Sequence, residues 1–149
     1  MSLPEFHTQH VFFASGSPND VLLFQQVVAE LPYLVHHSMQ KDDEDTLKAL
    51  GELSHIPDLI ILDLDLTGKN GLECLFEIKA NRKFESLPVV IYGTTSFPAA
   101  INQLYQGGAH LYIHKSENSA FKALIQHLLS INWKEKIAQP PREEFVLKI

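Results

Sequence analysis

Cysteine is almost missing from this chain. Cys74 is the only one, so no disulfide framework supports the fold, and a reducing cytoplasm is the expected home. Long apolar runs are missing as well. No stretch approaches the roughly 18 apolar residues of a membrane-spanning helix. Residues 1–10 lack the basic end and apolar core of a secretory signal. There is no basic excess either: 12 Lys and Arg stand against 18 Asp and Glu, a formal charge of -6, which argues against nucleic-acid binding. No internal repeat or low-complexity tract occurs. What remains, 149 residues with 45% hydrophobic and 20% charged side chains, reads as about one soluble globular domain.

Strand-like and helix-like runs alternate along that domain, the signature of an α/β sheet. Gln9 to Ala14 is the first strand, broken by Ser15-Gly16-Ser17-Pro18-Asn19, which offers capping residues and a helix-start proline. Phe24, Val27, Val28 and Leu31 then recur at helical spacing until Pro32. Tyr33 to Ser38 is a weaker second strand. Acidic residues from Asp42 to Asp45 open a helix carrying Leu47, Leu50 and Leu53. Leu87 to Tyr92 and His110 to His114 are the fourth and fifth strands. Between them Pro98 to Gln106 forms a helix closed by Gly107-Gly108. Phe121, Leu124, Ile125, Leu128 and Leu129 give the last helix its period. The domain is expected over 9–131. Residues 132–149, with Pro140-Pro141 and the apolar Phe145-Val146-Leu147, form an extension expected to pack back or to meet a partner.

The third strand carries the chemistry. In PDLIILDLDLTGKNG, Pro57 to Gly71, Leu59 to Leu62 read as a strand buried on both faces. The strand delivers Asp63 at its end, where open α/β sheets place their sites. A carboxylate partly removed from water there requires a cation or a donor. Asp65 lies two residues on, and Gly68, Asn70 and Gly71 turn the chain into the next helix. The ends of the first, fourth and fifth strands, Ser15-Gly16, Gly93-Thr94 and Lys115, converge on the same edge.

In the order and spacing of these positions the chain resembles the receiver domain of two-component response regulators over about residues 9 to 131. The resemblance implies a doubly wound, parallel, five-stranded (βα)5 sheet of flavodoxin-like type, strand order 2-1-3-4-5. Asp63 matches the aspartate that accepts a phosphoryl group from a histidine kinase or phosphotransfer protein. Lys115, in YIHKS, matches the lysine that contacts the phosphate. Asp65 matches the position whose carbonyl helps hold Mg²⁺, so Asp63 and Asp65 are the expected metal ligands. Gly71 matches the loop glycine, Thr67 stands where proline is common, and Tyr112 matches an aromatic that changes orientation on activation in some members. The physics is consistent, since phosphoryl transfer needs in-line positioning and cations to absorb charge on oxygen.

Two positions depart from the pattern. Ser15 and Gly16 replace the acidic pair that anchors Mg²⁺, which weakens a site for an ion that gives up water reluctantly. Asp20, in the first helical turn, is a candidate to compensate. Gly93 stands where the switch Ser or Thr belongs, and Thr94 supplies the hydroxyl only if the loop shifts by one residue.

The remaining signals are weaker. His36-His37 point to opposite faces of their strand, and His110 and His114 lie roughly 13 Å apart. Neither pair chelates, and no zinc spacing occurs. IYGTTS, Tyr92 to Ser96, lacks the glycine-rich context of a flavin phosphate loop, so a flavodoxin-like carrier is a third reading only. Cys74 is expected to pack. The expectation is a non-enzymatic signalling module, able at most to assist its own phosphorylation and dephosphorylation. Its output is expected through protein contacts made by the fourth helix, fifth strand and fifth helix, with no nucleic acid and no membrane. A homodimer is compatible with that face. The alternative is a pseudo-receiver, a protein-binding module of the same fold that ignores phosphate.

Overall fold

A computed structural model of the chain describes residues 9–32, 34–39, 45–66, 70–115, 118–135 and 138–147. Tyr33, Asp42, Thr67, Gly68 and Ser116, all used in the sequence reading, lie outside these residues. The strands are β1 (Gln9–Ala14), β2 (Val35–Met39), β3 (Leu59–Asp63), β4 (Val89–Gly93), β5 (Leu111–His114) and β6 (Val146–Leu147). The helices are α1 (Pro18–Glu30), α2 (Thr46–Gly51), α3 (Gly71–Ala80), α4 (Pro98–Gln106) and α5 (Asn118–Ser130), with a 3-10 turn at Arg142–Glu144.

All strand pairs are parallel, in the order β2-β1-β3-β4-β5-β6. The expected order 2-1-3-4-5 is present, but the sheet has six strands rather than five. The sixth comes from the segment read as an extension. Phe145 is fully buried, and seating it lays Val146 and Leu147 beside Tyr112 and Ile113, pairing a β5 edge that would otherwise be bare.

Side-chain alternation along the strands splits the core into two layers. Val11, Phe13, Leu59, Ile61, Val90 and Ile113 pack under α1 and α5 with Phe24, Val27, Phe121 and Ile125. Phe12, Ile60, Leu62, Ile91 and Tyr112 face the other way, onto Leu50, Leu75, Ile78, Leu104 and Phe145. β3 and β4 are buried along their whole length, which accounts for near-continuous apolar runs in place of alternation.

Caps set where the helices start. Ser17 accepts from the Asp20 amide and Pro18 occupies the first turn of α1. Asp45 caps α2, and Asn70 caps α3. Cys74 is buried in the core, as expected of a packing residue. Among the described residues, no helix is long and apolar enough to cross a membrane.

Candidate functional site at the carboxyl edge of the sheet

Strand parity brings the site together. Ala14 pairs with Leu62 and Asp63 with Tyr92, so Ser15, Asp63 and Tyr92 stand side by side, on the face covered by α1 and α5. Asp63 is only 6% exposed. Its Oδ1 accepts the Asp65 backbone N–H at 2.9 Å, and its Oδ2 accepts the Ser15 hydroxyl at 3.2 Å. Burial raises the Asp63 carboxyl above the usual carboxylate range, and the charges of Asp20 and Asp65 push the same way. The two hydrogen bonds oppose the shift by favouring the ionised form.

Gly71 is required by this geometry. A Cβ there would meet the Asp63 carbonyl oxygen and the Leu64 Cα at 2.7 Å each, and both are backbone atoms that cannot swing aside.

Tyr92 and Asp20 complete the cluster. The Tyr92 hydroxyl lies 2.8 Å from Ser15 Oγ and 3.1 Å from Asp20 Oδ2, and its single proton is shared between these two acceptors. Ser15 Oγ also accepts the Ser17 N–H at 3.0 Å, so its one donor and two acceptor sites are all engaged. Burial, followed by the nearby Asp63 charge, pushes the Tyr92 phenol strongly upward, which favours its neutral, hydrogen-donating form. Asp20 is 3% exposed, and its Oδ1 holds the Lys115 ammonium in an ion pair. The Lys115 ammonium also lies 5.6 Å from the centre of the Phe121 ring, within cation–π range.

Lys115 therefore reaches this edge as expected, with Asp20 and not Asp63 as its ion-pair partner. Asp65 is exposed on the rim. Thr94 is exposed just beyond β4, and its carbonyl lies 3.0 Å from His114 Nε2. A Cβ on Gly93 would approach the Leu64 Cβ at 3.0 Å and the Tyr112 hydroxyl at 3.3 Å. Tyr112 is fully buried and donates to the Thr95 carbonyl at 2.8 Å. Tyr92 is the member of this cluster that the sequence alone did not single out. It was legible in principle: a tyrosine at the last turn of a buried strand must take its hydroxyl to a polar partner, and in-register pairing puts it beside Asp63.

With this geometry in hand, three comparisons bear on the chain. Residues 22–128 match the family model of the response regulator receiver domain. Response regulator Rcp1 of Synechocystis is 36% identical over 91 residues, a match that covers 60% of this chain and 60% of that protein. The two-component response regulator ARR17 of Arabidopsis thaliana is 33% identical over 73 residues, 48% of each chain. These matches thus span about half to three fifths of the relatives' length. Among solved structures, the phosphorylated cyanobacterial phytochrome response regulator RcpA superposes with a TM-score of 0.78 at 25% identity, over 91% of this chain and all of that one. The Mn²⁺-bound form of Rcp1 superposes with a TM-score of 0.73 at 27% identity, over 89% of this chain and 99% of that one.

Proposed function

Because the chain belongs to the response regulator receiver family, we propose that it is a receiver in phosphorelay signalling that takes a phosphoryl group onto Asp63. The donor is the phosphohistidine of a histidine kinase or phosphotransfer protein. One observation carries the reading. Asp63 is a buried carboxylate at the carboxyl end of β3, fixed by the Asp65 amide and the Ser15 hydroxyl, and it is linked through Ser15, Tyr92 and Asp20 to the paired Lys115. In the step itself an Asp63 oxygen bonds to phosphorus as the phosphorus–nitrogen bond breaks, and the leaving imidazole keeps the electron pair. The chain's residues position the nucleophile and supply one cation near the charge that builds on oxygen. Apart from assisting this exchange and its hydrolysis, the protein acts as a signalling module in the cytoplasm and not as an enzyme.

Output passes through α4, β5 and α5 as the segment 138–147 reshapes them. Beside β5 lies a cavity of about 680 Å³ lined by Thr95, Ile101, Tyr112, Leu124, Arg142 and Val146, which offers a partner an apolar floor with a charged rim. A homodimer forms through the same face. A relative of the chain bears the name of a phytochrome response regulator, which makes a light-sensing kinase a natural donor to test first.

The test is incubation with a phosphorylated kinase or with acetyl phosphate, read by intact mass. A phosphate adduct that Asp63→Asn abolishes is the expected result. No adduct from any donor would leave the phosphate-independent binding module in its place.

A further inference from the structure

The solved Mn²⁺-bound relative raises the question whether this chain's pocket suits a divalent cation. Mg²⁺ asks for free oxygen donors in near-octahedral array and surrenders its waters reluctantly. Here every buried carboxylate oxygen at the edge already has one protein donor, so a metal ion would have to share each of them with the protein. Asp63 Oδ1 holds the Asp65 N–H and Oδ2 the Ser15 hydroxyl. Asp20 Oδ1 holds the Lys115 ammonium and Oδ2 the Tyr92 hydroxyl. Ser15 and Gly16 contribute no carboxylate. Among the described residues, no three Asp, Glu, His or Cys side chains converge as a ligand set. These residues do not fit a divalent cation. They fit an ammonium group, with a phenol and a serine hydroxyl bridging the two carboxylates.

We propose that Lys115, held on Asp20 and beside Tyr92, is the resident cation of this pocket, and that Asp63 accepts a phosphoryl group without a divalent metal ion. The inference rests on Asp63 being the acceptor. Asp20 and Tyr92 are then positioning residues. Asp20 keeps the ammonium at the sheet edge, and Tyr92 satisfies the Asp20 oxygen that Lys115 leaves open. A phosphoryl group brings about 1.5 to 2 negative charges, and the flexible lysine stem lets the ammonium move from Asp20 onto the new phosphoryl oxygens. With acetyl phosphate the balance is simple: a bond forms between phosphorus and Asp63, the bond to the acetyl oxygen breaks, and acetate leaves.

Two measurements on the full chain test this. The first is an Mn²⁺ titration followed by water-proton relaxation. The wild type should show no saturable site in the millimolar range, whereas the Ser15→Asp/Gly16→Asp variant should gain one that Asp63→Asn removes. Saturable binding by the wild type that depends on Asp63 would overturn the proposal, whether or not the double variant folds. The second measurement is the rate of acetyl phosphate labelling in EDTA and in Mg²⁺. Equal rates are expected. Asp20→Asn should slow labelling in EDTA about tenfold or more, the scale of a lost charged hydrogen bond, with partial recovery in Asp20→Glu. Labelling only with Mg²⁺, or an unchanged Asp20→Asn, overturns the inference and leaves the acceptor reading standing. No labelling in either condition overturns the acceptor reading, and the titration still decides the cation.

Discussion

The Tyr105 and Phe145 rings meet edge to face, with centroids 5.1 Å apart, and this contact ties the C-terminal segment to α4. Around it the Tyr105 hydroxyl donates to the Pro140 carbonyl at 2.8 Å. Gln139 Nε2 donates to the carbonyls of Tyr105 and Ala109, and the Tyr112 N–H donates to the Phe145 carbonyl. The α4–β5 flank is therefore partly built from the protein's own residues 139–147. Any partner there meets this segment or displaces it.

Phe145→Ala should accordingly behave as a core truncation despite its place near the chain end. Deleting a fully buried phenylalanine costs about 3–5 kcal/mol, and the two-residue β6 holds little else in place. Urea denaturation should show that loss. Hydrogen exchange should show faster exchange at the Tyr112 amide, whose acceptor is the Phe145 carbonyl. A loss under 1 kcal/mol would mean that the segment is an ornament on a five-stranded fold.

Installing the family's switch residue with Gly93→Thr should destabilise the protein, by about 1–3 kcal/mol, the usual cost of overpacking. The added Cβ would press on Leu64 at 3.0 Å and on the Tyr112 hydroxyl at 3.3 Å. Leu64→Gly removes both the Cβ at 3.0 Å and the Cδ2 at 3.2 Å that the new side chain meets, so the double variant should be more stable than the sum of the two single changes predicts, since residues in contact couple. Thermal unfolding of the four proteins checks this, and simple additivity would rule out the steric account.

The layered sheet was legible because its signals are local. Apolar runs at residues 59–62 and 87–92, the helical period of residues 121–129 and the breaks at Pro18, Pro32 and Gly107 specify strand and helix without long-range information. Element ends were off by one or two residues. β4 runs Val89–Gly93 and not Leu87–Tyr92, since Pro88 has no N–H to give to a ladder. What could not be read locally were pairings set by tertiary contact. Val146-Leu147 is too short to announce a strand and becomes one only because Phe145 finds a pocket. Likewise, the choice of Asp20 over Asp63 by Lys115 depends on how α1 is placed on the sheet.

Tyr112 links that C-terminal segment to the turn after β4, since its hydroxyl donates to the Thr95 carbonyl while its backbone pairs with β6. Tyr112→Phe removes only the first link. The expected cost is about 0.5–1.5 kcal/mol, the net value of one hydrogen bond. Faster amide exchange should be confined to residues 94–97. An effect spread evenly over the sheet would show that the hydroxyl does not hold the turn.

Asp63 itself should make stability depend on pH in the direction opposite to most aspartates. Burial raises its folded-state carboxyl above the ordinary value of 3.8, so the native state binds the proton more tightly than the unfolded chain does. Between the two values the folded protein carries more protons, and its stability falls as pH rises. The destabilisation from Asp63 is absent below the unfolded value and complete above the folded one. Asp63→Asn deletes the titration and keeps the shape, so at neutral pH the variant should be more stable than wild type. That advantage should shrink and vanish as pH is lowered through the carboxylate range. Urea midpoints of the two proteins across that range measure it. An advantage that stays constant with pH would mean that hydrogen bonding and burial cancel at Asp63, and one that grows toward acid would mean that its hydrogen bonds stabilise the anion more than burial penalises it.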